Sequence, residues 1–101
     1  MKITAFHGGE LEGARWYTTD RSHAAIFGDV TAVEIESSID PVRIDAADVV
    51  GDASGYEADA ILWAHLDALD CSWAIVTGWE GSGECIVVRE PGYVRVSKVR
   101  A

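Results

Sequence analysis

Hydrophobic and polar positions change period several times along this chain, and each change predicts an element. A short apolar run, Ile3 to His7, ends in a histidine and two glycines, as a strand does when it runs into a turn. GGELEG is a turn-rich loop, and Arg15 to Thr18 reads as a second short strand. TDRSHAAIFG predicts a brief helix, with Thr19 or Asp20 at its N-cap and Gly28 at its end. In TAVEIES, Ala32 or Val33 and Ile35 alternate with Glu34 and Glu36, which predicts a strand with one wet face. IDPVRIDA places Pro41 at a turn or a sheet edge, with a short extended piece after it, and VVGDASG reads as loop.

The clearest helix follows. SGYE, starting at Ser54, has the form of a capping box, and a helix is expected from about Tyr56 to Leu69. Ala58, Ile61, Leu62, His65, Leu66 and Leu69 fall on one stripe, and Asp59, Asp67 and Asp70 lie off it. WAIVTGW, ECIVVRE and YVRVSKV predict three more strands, separated by EGSG and by Pro91-Gly92. There is no internal repeat, low-complexity tract or linker. The expectation is one α+β domain, residues 1–101, with about six strands and two helices, the strands gathered at the two ends.

Composition narrows the partners. A chain of 101 residues, 49% hydrophobic and 25% charged, is globular and can bury a core without staples. Its net charge of -9 argues against a nucleic-acid surface, which needs Lys and Arg for phosphate, and against anionic lipid. A protein partner with a basic surface would suit it; the plainer reading is solubility. Cys71 and Cys85 form no CxxC pair and no zinc spacing, and both sit in or beside apolar runs, so reduced core thiols are expected. No run is long enough to span a membrane and the N-terminus lacks a secretory pattern, so the expected location is cytoplasmic.

Three positions carry candidate chemistry. His7 ends the first strand before Gly8 and Gly9. Tyr17 lies in RWYTTD, with Phe27 ten residues on. Glu84 follows GSG and opens the apolar strand CIVV, where a carboxylate is exposed to desolvation. Each has a plain alternative: a strand-end histidine bonded to backbone, a half-buried strand tyrosine, a core phenylalanine, a solvated turn glutamate.

Taken in order, FHGG, then WYTTD with IF after five more residues, then GECIVV resemble the His-Tyr-Glu pattern of the diphtheria-toxin and poly(ADP-ribose) polymerase branch of ADP-ribosyltransferases. The likeness spans nearly the whole chain, and ECIVVREPGYVRV is similar to that family's last strand pair. It implies an ADP-ribosyltransferase-like fold of two small packed β-sheets, with NAD extended in the cleft between them. It also implies roles. His7 would bond a ribose hydroxyl, and the Gly8 backbone would pair with the nicotinamide amide. Tyr17 and Phe27 would pack on the nicotinamide ring, Phe27 replacing the family's second tyrosine. Glu84 would be catalytic, binding the ribose 2'-hydroxyl and stabilising the oxocarbenium-like state as nicotinamide leaves.

The match departs from the family in places. Gly9 stands where Thr or Ser is commoner, and no added helical domain is present. Glu80 and Glu84, with three residues between them, do not make the Glu-x-Glu of the arginine-modifying branch. The resemblance therefore implies an NAD-dependent mono-ADP-ribosyltransferase acting on a target protein, with no metal, and leaves the acceptor side chain open. The small size suits a phage or bacterial effector: a toxin, or an inhibitor of a host-defence complex. The alternatives are a catalytically silent, acidic interaction protein on the same fold and an NAD glycohydrolase. Of the remaining aromatics, Trp63 and Trp73 are expected in the core, His65 is expected as a satisfied core histidine, and Trp79 is expected as an exposed loop anchor for an acceptor protein.

Overall fold

The structure, a computed structural model, describes residues 1–79 and 83–99. Its elements run β1 (Lys2–Gly8), β2 (Trp16–Thr18), α1 (Arg21–Ala25), β3 (Val30–Glu36), β4 (Val42–Asp45), α2 (Ala46–Val50), α3 (Gly55–Leu69), β5 (Trp73–Thr77), β6 (Glu84–Val88) and β7 (Arg95–Lys98). The class is α+β, as expected. The described residues hold seven strands and three helices rather than about six and two. The extra helix is α2, which begins at the Asp45 N-cap, its carboxylate accepting from the Ala47 N–H at 3.0 Å. Five residues are too few for a helical period to emerge from a sequence.

The expected pair of sheets is corrected to one sheet of order β4-β5-β6-β2-β1-β3-β7. Its two halves are nevertheless distinct. β1 and β3 pair over seven positions and β5 and β6 over five, but β1 and β2 meet at a single pair, Phe6 with Thr18. The sheet folds at this junction. Laid flat, β5 and β3 would stand four strand spacings apart, about 19 Å. Instead the Trp73 indole of β5 donates to the carbonyl of Ile39, just past β3, at 2.7 Å.

Two cores follow from the alternation of strand side chains. On one face Ile44, Ala74, Val76, Cys85 and Val87 pack under α2 and α3, which contribute Ala46, Ala58, Leu62 and Leu66. On the other face no helix is needed: Ala5, Tyr17, Val33 and Ile35 close against Trp73, Ile75, Ile86 and Val88 across the fold. The expected alternation in β3 holds, with Val33 and Ile35 fully buried and Glu36 exposed. Both cysteines are buried, and no disulfide joins them.

α3 keeps its expected extent and its Ser54 N-cap, but the Ser54 hydroxyl caps nothing. Gly55 takes φ +58°, so the chain turns into the helix by a route a capping box does not use. The stripe that α3 buries is narrower than the pattern predicts. Ala58, Leu62 and Leu66 are buried, while His65 and Leu69 are exposed at its margin. His65 is thus a surface residue, not a core histidine.

Candidate functional site

The strand order brings the sequence-distant candidates side by side. β6, which opens with Glu84, pairs with β2, which holds Tyr17, and β2 meets β1, which holds His7. One step on from the Phe6–Thr18 pair, His7 faces Tyr17, their ring centroids 5.6 Å apart. Tyr17 stands opposite Ile86 in register. Tyr17 and Ile86 belong to the helix-free core and Cys85 to the other, so alternation along β6 puts Glu84 on the Tyr17 side of the sheet. Glu84 is then a diagonal neighbour of Tyr17, about 7–8 Å away at the backbone, and stands two strands from His7.

His7 is held from both ring nitrogens. Nδ1 lies 2.8 Å from the Trp16 carbonyl and Nε2 lies 2.9 Å from the Glu10 carbonyl. Carbonyls only accept, so a neutral imidazole donates to one of them and the imidazolium to both. The Tyr17 phenol donates to the Ala14 carbonyl at 3.0 Å, and burial pushes its pKa above the ordinary tyrosine value. The main chain of the β1–β2 loop, with Trp16 at the start of β2, therefore fixes both rings.

Gly8 is bare for a reason visible in the fold. A Cβ there would meet the Ala24 carbonyl oxygen at 1.8 Å, so its missing side chain lets α1 lie against the end of β1. α1 is set by the Asp20 carboxylate, which accepts from the N–H groups of Ser22 and His23, and Asp20 is one of the two caps expected. The helix ends at Ala25, before Gly28, and presents Phe27 beyond it. Phe27 is 64% exposed and packs edge-on to His23, centroids 5.5 Å apart; it is not the core residue of the plainer reading.

A cavity of about 490 Å³ opens between α1 and the first turn of α3. Its first wall is His7, Gly8, Tyr17, Ala24 and Phe27, so four of the five expected site residues line it. Its second wall is Gly55, Tyr56 and Asp59, and Phe6, Trp16, Thr18, His23, Trp79 and Cys85 complete the lining. Glu84 is not among the described lining residues; its chain neighbour Cys85 is. The Glu84 side chain is 46% exposed and pairs with Arg43 at 3.8 Å. Its backbone is clamped to Thr19, whose N–H donates to the Glu84 carbonyl and whose Oγ1 accepts from the Glu84 N–H, each at 2.9 Å.

Sequence reasoning missed the second wall. Tyr56 and Asp59 look like the outer face of a surface helix, and only the three-dimensional placement of α3 turns them toward α1. Trp79 also differs from expectation: it is 9% exposed, packed at a 31° tilt against Trp16 with centroids 5.8 Å apart, and it lines the cavity rather than projecting from a loop. Glu80, the other carboxylate of the expected acidic pair, lies outside the described residues. No metal cluster occurs among the described residues, and no described helix is long and apolar enough to cross a membrane. Comparison with family models, with curated proteins and with solved structures gives no match to this chain.

Proposed function

We propose that this protein is an NAD-dependent mono-ADP-ribosyltransferase that modifies a target protein. The observation that carries the reading is the adjacency of β1, β2 and β6. Residues 77 positions apart in the chain share one face of the sheet, with His7 across from Tyr17 and Glu84 on the next diagonal. The cavity supports it further: aromatic side chains on both sides of an apolar space of this size suit a nicotinamide ring, which would lie between Tyr17 and Phe27.

The chemistry divides among these residues. The bond from the ribose anomeric carbon to the nicotinamide nitrogen breaks, and nicotinamide leaves with the electron pair. Positive charge then develops on the ribose, and the Glu84 carboxylate, whose backbone Thr19 holds, would turn from Arg43 to face it. The acceptor atom of the target attacks the anomeric carbon and gives up its proton. Glu84→Gln keeps the shape and removes the charge. Transfer of label from radiolabelled NAD to target protein should fall at least ~100-fold in this variant. Transfer that survives Glu84→Gln, or no nicotinamide release by the natural chain with any target, overturns the reading.

One observation favours a second reading, a silent domain on the same scaffold that acts by binding. Glu84 already has a cationic partner in Arg43, and the His7 nitrogens already face carbonyls. Calorimetric titration with NAD separates the two, since the silent domain gives no heat of binding.

A further inference from the structure

The second wall of the cavity has no part in the chemistry just described, and its make-up is unlike the first. Tyr56 and Asp59 stand three residues apart on α3 and so project on one side of it. Tyr56 is 96% exposed, although a tyrosine in the first turn of a helix could fold down onto its neighbours. The Asp59 carboxylate is half-buried and makes no hydrogen bond or ion pair among the described residues. It is the one carboxylate among the described lining residues, and none of them is Lys or Arg. The tilted Trp16–Trp79 ring pair lines the same cavity.

The chain as a whole repeats this bias. From Ile44 to Val88 there are nine carboxylates and no Lys or Arg, while the rest of the sequence is balanced, with eight of each sign. The entire net charge of -9 therefore belongs to the segment that builds α2, α3, β5 and β6. At the rim on the α1 side the fold already holds a guanidinium against an aromatic face: Arg21 stands 5.6 Å over the ring of Phe6.

We propose that the α3 wall is a docking site for an arginine side chain carried on a basic segment of a protein partner. The guanidinium would lie flat against Tyr56 and the tryptophan pair and bond with Asp59. Arginine suits such a site better than lysine because its planar, weakly hydrated cation stacks on rings and bonds a carboxylate with two N–H groups. The surrounding carboxylates draw the basic segment in and hold it in place. The binding stands apart from the transferase reading; only the partner's role as acceptor protein rests on it.

Tryptophan fluorescence tests this without NAD. The probes are the peptide acetyl-Gly-Arg-Gly-Arg-Gly-amide and its counterpart with glutamine in place of each arginine. The arginine peptide should give a saturable change that the glutamine peptide does not. Asp59→Asn should weaken it by about tenfold and Tyr56→Ala by about threefold. Asp52→Asn, which removes the same charge in the turn after α2, should weaken it by less than about twofold. Equal binding of both peptides, no saturable change with either, or equal loss in Asp52→Asn and Asp59→Asn overturns the proposal. Circular dichroism of each variant excludes loss of fold, which no substitution at these exposed or half-exposed positions should cause. If the peptide binds at Asp59 but the protein never turns over NAD, the transferase reading fails and this site stands.

Discussion

The two walls of the cavity are built on opposite plans. On the first, every polar atom of the key rings is engaged by the protein's own main chain: His7 by Trp16 and Glu10, Tyr17 by Ala14. Gly8 is there because α1 leaves no room for a Cβ. On the second, Tyr56 is almost fully exposed and the Asp59 carboxylate has no described partner. A wall of the first kind is rigid before any ligand arrives, so it loses little freedom on binding and discriminates by shape. A wall of the second kind contributes charge and ring surface and adjusts to what it meets. On the readings proposed above, the small molecule would sit on the first and the protein segment on the second.

That contrast fixes what substitutions should do. Gly8→Ala should have the largest effect, about 3 kcal/mol of stability in urea denaturation, because a methyl group cannot share space with the Ala24 carbonyl and α1 must move away. Arg89→Ala comes next. Arg89 donates to the Cys71 carbonyl at 2.6 Å and to Asp67 at 2.8 Å, which ties the far end of α3 to the strand layer. Losing it should cost about 2 kcal/mol in the same experiment, and the arginine peptide should bind more weakly as the second wall loosens.

Tyr17→Phe removes one hydrogen bond and should cost about 1 kcal/mol. Its pH behaviour is the sharper reading. The folded phenol ionises above the unfolded value of about 10, so its neutral form is favoured by folding. Stability is therefore intact below that value and falls as pH rises through the folded pKa. The natural chain should lose stability in this alkaline range, and Tyr17→Phe should lose less. Last, Glu84→Gln and Tyr56→Ala should each change stability by less than about 0.5 kcal/mol, since the Arg43 pair is long and half-exposed and Tyr56 touches solvent. A Tyr56→Ala variant that unfolds easily would place that ring on the first plan, and the contrast would collapse.

Much of the first wall was legible in the chain. The His7-Gly8 strand end, the Asp20 cap that sets α1 and Tyr17 on a short strand are local signals: periods, caps and turn residues within a few positions of each other; so is Glu84 at the mouth of β6, which lies beside that wall rather than in it. The second wall was not, because no local rule says where α3 lies relative to α1. The same reason explains Trp79, whose burial depends on Trp16 far away in the chain, and the single folded sheet, whose register is a matter of long-range pairing. His65 misleads for a subtler reason. It keeps helical step with Ile61 and Leu62, yet the strip of α3 that meets the sheet is only as wide as Ala58, Leu62 and Leu66.

The solitary pairing of Phe6 with Thr18 gives the molecule a built-in gauge. Parting the halves of the sheet there breaks almost no ladder, whereas unravelling β1 from β3 breaks seven pairs. Deuterium should therefore reach the main-chain amides of that one rung long before it reaches the neighbouring ladder, and a ligand that wedges into the cleft or clamps it shut would be read from the exchange rate of a single rung.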